Sequence, residues 1–277
     1  MSIDSLSQLR QWQPPYRPDT IIEDGLLLPE TAMLMFGSAK SWKTMHSTHL
    51  AFCLATGTPW FGYETRQCTV LKVQVELPKY QDKLRVMKYS DGNKSLPKNI
   101  FFHTPDQNML LDTTWGIQSL VKAVEEIKKR TPAPDDPLVV ILDPVYLLIK
   151  GSVSEEQDVK RLQLQLMEIR KQHRITFIII HHSRLTKTDA SGAIVDMGAE
   201  EIMGSSLWNN WCDTMVRCQL INPYQGANIT KVSFVHHRNA QLFHPAFTVK
   251  WNRANLVPEI IQRDIVEDDE PTVRDML

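Results

Sequence analysis

The sequence has few cysteines, no long apolar run and no excess of charge of either sign. Its four cysteines, Cys53, Cys68, Cys212 and Cys218, show no CxxC spacing, which argues against a disulfide framework and against a cysteine zinc site. We therefore expect buried free thiols in a reducing cytoplasm. No run approaches the ~18 apolar residues of a membrane span, so we expect no membrane partner. Residues 1–18 contain an acid and lack an apolar core, so we expect no secretory signal.

The charge balance limits the kinds of partner that the whole surface can attract. The chain has 31 basic and 32 acidic residues and a formal net charge of -1. If the protein holds nucleic acid, its positive surface must therefore be local. A chain of 277 residues, 42% of them hydrophobic and 23% charged, has the composition of a globular enzyme and fits one large domain with short extensions.

Short apolar runs alternate with segments of helical spacing through the first two thirds of the chain. The predicted strands are 32–36, 68–75, 100–103, 138–142 and 175–180, and the predicted helices are 43–55, 116–130 and 155–173. This alternation predicts a mostly parallel sheet with helices on both faces. Further strands near 214–220, 229–236 and 246–251 predict an antiparallel extension. We divide the chain into an arm (1–24), one main domain (25–255) and an acidic tail (256–277).

The segment GSAKSWKT has the spacing of a phosphate loop and lies between a predicted strand and a predicted helix, the context that this motif requires. Backbone N–H groups of such a loop bind phosphate, and the helix N-terminus adds positive partial charge. Lys43 would reach the β and γ oxygens of ATP, and the Thr44 hydroxyl would bind Mg²⁺. The alternative is a chance lysine-rich loop. The candidate nucleotide-binding residues are Gly37, Ser38, Ala39, Lys40, Ser41, Trp42, Lys43 and Thr44.

Trp42 stands where the phosphate-loop motif has its second glycine. Glycine is favoured there because the backbone passes close to phosphate in a conformation that other residues disfavour. The loop is therefore either a remodelled working variant or a decayed one. In a working loop the large ring must leave the phosphate volume and pack against apolar surface. The intact Lys43 and Thr44 favour the working variant.

Two acidic residues are candidates for the chemistry. An apolar strand, Leu138–Leu142, ends in Asp143, and an aspartate at the carboxyl end of a central strand can hold Mg²⁺ beside a phosphate loop. Pro144 follows it, so no adjacent glutamate can act as the base. Glu76 ends the first strand after the phosphate-loop helix and could orient the attacking water. The alternatives are a turn aspartate and a solvated carboxylate at a strand end.

His181 and His182 end the strand predicted at 175–180. A polar residue at that place can contact the γ-phosphate and transmit its presence to the next loop. Metal binding is the alternative. Adjacent residues of a strand point to opposite faces, however, and the sequence pairs no third ligand with these two histidines.

The order of these parts resembles the RepA-type plasmid replicative helicases and related single-domain RecA-like ATPases of the AAA group. The resemblance rests on Gly37–Thr44, Glu76, Asp143, the His181–His182 pair and Gly204–Ser206. The phrases HLAFCLATGTPWFGYE and VELPKYQDKLR add to it. It extends over residues 25–252.

This resemblance implies a homohexameric ring with Mg²⁺–ATP bound between subunits and single-stranded DNA in the central channel. It implies that Lys43 and Thr44 bind phosphate and magnesium, that Glu76 is the base, and that Asp143 is the magnesium aspartate. His182 or His181 would sense the γ-phosphate. Arg238, in SFVHHRNAQ, would act on the neighbouring subunit's nucleotide, although His237 stands where the family carries lysine.

The loops 148–157 and 183–203 would line that channel and bring Lys150, Arg184 and Lys187 to DNA. Acidic residues of the second loop oppose these cations, so a plain surface loop is the alternative. Two other functions stay open. One is a RecA-like filament ATPase that binds DNA without unwinding it. The other is a nucleotide-binding switch or loader with weak hydrolysis.

Overall fold

A computed structural model describes residues 3–13, 20–91, 96–105, 109–183, 202, 206–221 and 228–265. Within these residues the helices are α1 (Leu6–Gln11), α2 (Lys43–Thr56), α3 (Lys79–Asp91), α4 (Thr114–Arg130), α5 (Glu156–His173) and α6 (Leu207–Trp211). The strands are β1 (Ala32–Gly37), β2 (Thr69–Gln74), β3 (Ile100–His103), β4 (Leu138–Asp143), β5 (Ile175–His182), β6 (Thr214–Leu220), β7 (Ile229–His237), β8 (Phe247–Trp251) and β9 (Pro258–Arg263).

All nine of these strands belong to one sheet with the order β3-β2-β4-β5-β1-β6-β7-β8-β9. The strands from β3 to β6 in this order are parallel to one another, and β7, β8 and β9 are antiparallel to their neighbours. The predicted fold class is therefore confirmed: a RecA-like P-loop core with a mostly parallel sheet and an antiparallel C-terminal extension.

The parallel strands are buried on both faces, which explains their continuous apolar runs. In β4, Val139 and Ile141 face the layer that contains α2, whereas Val140 and Leu142 face the layer that contains α4 and α5. Helix α4 is capped by Thr113, whose hydroxyl accepts from the Gly116 N–H, and such a cap stabilises the first turn. The four cysteines are buried free thiols, as predicted.

Two segments near the predicted domain boundaries are part of the packed structure. Ile21 and Ile22, in the predicted arm, are fully buried in the core. Strand β9 lies inside the predicted tail and pairs with β8, and Asp264 forms an ion pair with Lys231 at 2.7 Å. The sequence of this edge strand, PEIIQR, mixes polar and apolar residues, so its hydrophobic pattern did not predict a strand. In the described ranges, no helix has the length and apolar character that crossing a membrane requires.

Candidate functional site

Strand register brings the predicted site residues to one edge of the sheet. Gly37, the last residue of β1, lies opposite His182 of β5. Gln74, the last residue of β2, lies opposite Asp143 of β4. These four strands are parallel, so their carboxyl ends meet, and helix α2 begins at the same edge. This edge is the usual ligand-binding place of an open α/β sheet.

The phosphate loop is held closed by its own polar groups. The Lys43 ammonium donates to the carbonyl oxygens of Gly37 at 2.9 Å and Ser38 at 2.6 Å, and the Ser41 hydroxyl donates to Ser38 O at 2.8 Å. Burial lowers the pKa of Lys43, and Cys218, Asp143 and Glu76 partly oppose this shift. The ammonium therefore lies in a desolvated position where phosphate oxygens could replace the carbonyl partners.

Gly37 is required by close packing rather than by turn geometry. A Cβ at this position would lie 2.0 Å from the carbonyl oxygen of Cys218 in β6, a distance that backbone cannot tolerate. The start of the phosphate loop is thus pressed against the neighbouring strand.

Trp42 adopts the left-handed conformation, with φ 62° and ψ 16°, which is the conformation that the motif's glycine supplies. Its ring stacks on Trp251 of β8 with centroids 5.5 Å apart and an interplanar angle of 9°. Trp251 is fully buried and donates from Nε1 to Thr230 at 3.3 Å. The ring therefore packs against apolar surface, as a remodelled loop requires.

Thr44 and Asp143 form an oxygen pair suited to Mg²⁺. The Thr44 hydroxyl lies 3.4 Å from Oδ1 of Asp143, and both residues line a cleft. Hydroxyl and carboxylate oxygens are the ligands that this small, hard cation prefers. The structure thus brings together the two residues assigned to the metal, and their chemistry fits it.

Lys72 is a site residue that the sequence did not reveal. It lies in β2 with a fully buried side chain, and its ammonium is 3.1 Å from Oδ2 of Asp143. The sequence signal for this residue is its position in the middle of a strand between two helical layers. Such a strand is buried on both faces, so a lysine there must have a partner.

Glu76 lies just beyond β2 on the rim of the same cleft. The Gln74 side-chain oxygen accepts from the backbone N–H groups of Glu76 at 2.6 Å and Leu77 at 2.9 Å. The buried Gln74 thus fixes the turn that presents the exposed Glu76 carboxylate.

The two histidines point to opposite faces, as predicted. His182 lines the cleft and lies edge-on to Tyr146 at 5.0 Å, and burial, followed by the charge of Lys43, lowers its pKa. His181 is fully buried on the other face against Trp208, at 5.1 Å. Of the pair, His182 is the one placed to contact a nucleotide.

Arg238 lies away from the phosphate loop of its own chain. Its guanidinium donates to Asp213 Oδ1 and to Asn210 O, both at 3.1 Å. Asp213 accepts from Ala32 at the start of β1, on the order of 16 Å from the loop at the strand rise of ~3.3 Å per residue. The structure therefore does not bring Arg238 together with the other predicted site residues of its own chain.

The cleft over the phosphate loop has a volume of about 970 Å³, which is sufficient for a nucleotide. Its far wall is α3, an element that we did not predict. This helix contributes Gln81, Leu84, Arg85 and Lys88 to the lining, so two cationic side chains line the cleft. A smaller cleft of about 320 Å³ lies at the opposite ends of β2 and β4 and is lined by both acids and bases.

The residues proposed to contact DNA are only partly described. Lys150 is exposed after β4. Arg184 and Lys187, like Gly204 and Ser205 of the resemblance, lie outside the described residues. Tyr146, which also follows β4, packs against His182.

Comparison with known proteins agrees with this geometry. The structure is similar to a KaiC-like protein from the hyperthermophilic archaeon Pyrococcus horikoshii OT3, with a TM-score of 0.53 and 12% identity over 86% of this chain and 93% of that one. It is also similar to a second solved structure, an isolated ATPase domain, with a TM-score of 0.58 and 12% identity over 84% of this chain and 85% of that one.

At such identities these likenesses establish the fold alone. A search of curated proteins found no match. The sequence model of one family, described as an AAA domain, matches residues 3–187, which is more than half of the chain. The chain therefore belongs to the AAA domain family of P-loop ATPases.

Proposed function

We propose that the protein hydrolyses Mg²⁺–ATP between the subunits of a homo-oligomer and couples hydrolysis to binding or translocation on single-stranded DNA. The observation that carries the nucleotide assignment is the convergence of Lys43, Thr44, Glu76, Asp143 and His182 on one cleft. The RepA-type resemblance supports the hexamer, the DNA and a role in the replication of a plasmid or other mobile element.

At the phosphate end of the cleft, the residues of this chain have different roles. Lys43 exchanges its loop carbonyl partners for β- and γ-phosphate oxygens, and the first turn of α2 presents N–H groups to them. Thr44 and Asp143 would hold Mg²⁺, which would neutralise developing charge on the phosphates. These are positioning and electrostatic contributions, the main sources of catalysis in phosphoryl transfer.

Glu76 and His182 face the reacting end of the same cleft. The exposed carboxylate of Glu76 can orient a water and accept its proton. His182 has a lowered pKa, so it is neutral near pH 7 and can exchange hydrogen bonds with the γ-phosphate. Because His182 ends β5, directly before the segment 183–203 that the sequence assigns to DNA, we expect the nucleotide state to be passed to that segment.

The oligomer is needed to complete the site. Arg238 lies at the opposite edge of the sheet from the phosphate loop and is half exposed, at 51% of its side chain. In the proposed ring it enters the cleft of the next subunit and stabilises charge on the transferring phosphate, as an arginine finger does.

The test is ATP turnover by wild-type protein with and without single-stranded DNA, alongside native mass measurement. We expect turnover that DNA stimulates and a mass of six subunits. ATP turnover that is the same with and without DNA would refute the coupling of hydrolysis to DNA binding. A monomer at all nucleotide concentrations would refute the shared site. Particle images with ATP distinguish a ring from the filament expected of a recombinase-like ATPase.

A second candidate is a nucleotide-binding switch or loader with weak hydrolysis. It is favoured by the contacts of Arg238, whose guanidinium is engaged by Asp213 and Asn210 of its own chain. In a switch this pair stays closed in the oligomer. ATP binding without turnover under all DNA conditions would support this candidate over the motor.

A further inference from the structure

The ammonium of Lys72 has four close oxygen partners in a position closed to solvent. It donates to Thr44 O at 3.0 Å, to the Ser47 hydroxyl at 2.9 Å and to the Thr48 hydroxyl at 2.8 Å. It also lies 3.1 Å from Asp143 Oδ2, and its side chain is 0% exposed. An ammonium has three hydrogens, so its bonding capacity is fully used. Two of these partners, Thr44 and Asp143, belong to the residues assigned to magnesium.

The two oxygens of the Asp143 carboxylate have different partners. Oδ2 is used by the protein, because it accepts from Ser47 at 3.1 Å and pairs with Lys72. Oδ1 faces the Thr44 hydroxyl at 3.4 Å. The carboxylate is therefore fixed in orientation, with one oxygen retained inside the core and the other directed towards the cleft.

The sheet itself gives no reason for a charge at this position. Lys72 is flanked in β2 by the buried Leu71 and Val73, and a buried ion pair is often no more stable than apolar residues of similar volume. Residues of the α2 layer, Ser47 and Thr48, are also polar here and serve the same ammonium. A polar cluster thus surrounds the Lys72 ammonium and the Asp143 carboxylate, and the buried Asp82 carboxylate is close enough to interact with both charges. This arrangement points to a role at the site.

We propose that Lys72 is the positioning residue of Asp143, and that it balances this carboxylate so that the site takes a divalent cation only together with nucleotide phosphates. A bare divalent ion at Oδ1 would meet the Lys72 charge at close range in a poorly solvated place, where like charges repel strongly. The negative phosphates of ATP offset this repulsion. The inference rests on the assignment of Thr44 and Asp143 to Mg²⁺–ATP under the proposed function.

The experiment measures binding of Mn²⁺ alone, in place of Mg²⁺, to wild-type protein and to Lys72→Met without nucleotide. Free aqueous Mn²⁺ is followed by its paramagnetic resonance signal, and thermal unfolding is followed with and without the ion. Methionine matches the length of the lysine stem and removes the charge. We expect negligible binding to the wild type and a gain of at least ~tenfold in Mn²⁺ affinity for Lys72→Met, because one nearby positive charge is lost.

Mn²⁺ should also raise the melting temperature of Lys72→Met and leave that of the wild type unchanged, because an ion that binds only the folded state stabilises it. Lys72→Arg is the matched control: it keeps the charge and should keep the weak affinity. The double variant Lys72→Met, Asp143→Asn should lose the gained binding, which locates the ion at Asp143.

Equal Mn²⁺ affinity in wild type and Lys72→Met would overturn the proposal. If Lys72→Met fails to fold alone, folding that is restored by Mn²⁺ supports it, and failure to fold with and without the ion overturns it. Calorimetric titration of the wild type with Mn²⁺–ATP is run beside these assays. Absence of that binding refutes the proposed function, whereas the comparison of the two proteins with Mn²⁺ alone tests Lys72.

Discussion

At the scale of single residues, Trp42 shows how an unfavourable backbone conformation is compensated. A left-handed conformation costs a residue with a Cβ about 1–2 kcal/mol. Stacking on Trp251 contributes about 0.5–1.5 kcal/mol beyond the area that it buries, and burial of the ring adds to this. The two effects are of similar size, so tryptophan is tolerated where glycine is usual, and the backbone of the loop keeps its geometry.

This balance predicts different effects for two substitutions of Trp42. Trp42→Ala loses the stack and keeps the backbone strain, whereas Trp42→Gly loses the stack and relieves the strain. We expect Trp42→Ala to be less stable than the wild type, and less stable than Trp42→Gly by about 1 kcal/mol. Urea unfolding measures this difference, and ATP affinity should change little in Trp42→Gly. A large gain of affinity or turnover in Trp42→Gly would show instead that the wild-type loop has decayed.

The proposal that the cleft binds and hydrolyses ATP depends most strongly on Lys43. Lys43→Ala should abolish ATP turnover, because loss of a preorganised charge on the transferring phosphate costs about 3 kcal/mol or more in the transition state. The fold should persist, as judged by circular dichroism, since the lysine's partners are all in the phosphate loop: two carbonyls and the Ser41 hydroxyl. Lys79→Ala, an exposed lysine at the start of α3, is the matched control. Unchanged turnover in Lys43→Ala would remove the assignment.

At the scale of elements, β5 separates two adjacent histidines into different environments. His182 faces the cleft, whereas His181 packs against Trp208 and its Nδ1 lies 2.8 Å from the carbonyl of His182. Burial lowers the pKa of His181 to about 4, with a smaller opposing contribution from this hydrogen bond. In the folded protein His181 therefore stays neutral in mildly acidic solution.

This lowered pKa predicts a loss of stability in acid. The unfolded chain protonates His181 below its ordinary pKa of about 6.5, while the folded chain resists protonation down to about pH 4. Stability from this residue is therefore complete above about pH 6.5 and falls by ~1.4 kcal/mol per pH unit below it. His181→Phe removes this pH-dependent contribution to stability and can keep the contact with Trp208.

The free energy of unfolding of the two proteins is compared at about pH 7 and about pH 5, where the wild type should lose ~2 kcal/mol more than His181→Phe. Parallel losses in the two proteins would show that His181 is protonated in the folded state as well.

Elements with an apolar side towards the core were predictable from periodicity, and those without one were missed. Strands β4 and β5 and helices α4 and α5 fall within a few residues of their predicted bounds. Helix α3 was missed, because it buries only Asp82 and Tyr89 and leaves Tyr80, Leu84 and Met87 exposed. Periodicity finds a buried apolar stripe, and α3 serves as the wall of a cleft instead.

The sequence predicted those parts of the candidate site that follow from the order of motifs along the chain. It did not predict the contacts between residues that are distant in sequence. The placement of Asp143 and His182 near Lys43 follows from parallel strands ending at one edge. The support of Trp42 by Trp251 joins the phosphate loop to an antiparallel strand far along the chain. The pairing of Lys72 with Asp143 joins β2 to β4. Sequence spacing carries no information on either contact.

At the scale of the whole molecule, the loop that follows Arg238 is anchored to the N-terminal segment. Oδ2 of Asp24 accepts from the backbone N–H groups of Gln241 at 3.1 Å and Leu242 at 2.8 Å, and lies 3.0 Å from His244. Partial burial acts to raise the pKa of Asp24, but these hydrogen bonds outweigh it and the pKa is lowered. These contacts join the segment after Arg238 to Asp24, and Leu242 and Phe243 are exposed beside them.

The position of Arg238 on the edge opposite the phosphate loop is consistent with action on a neighbouring subunit, and this predicts a result for mixed oligomers. Arg238→Ala should bind ATP normally and hydrolyse it about a thousandfold more slowly. Lys43→Ala should also be inactive, for a different reason. When the two inactive proteins are mixed, some interfaces combine an intact Lys43 with an intact Arg238 from the next subunit.

Activity should therefore return at those hybrid interfaces and vary with the mixing ratio, as measured by steady-state ATP turnover. Native mass measurement checks that mixed oligomers form. Mixed oligomers that assemble normally and remain inactive would show that Arg238 acts within its own chain. Its ion pair with Asp213, at 3.1 Å, would then be a structural contact at the start of β1, and the arrangement would favour the nucleotide switch over the motor.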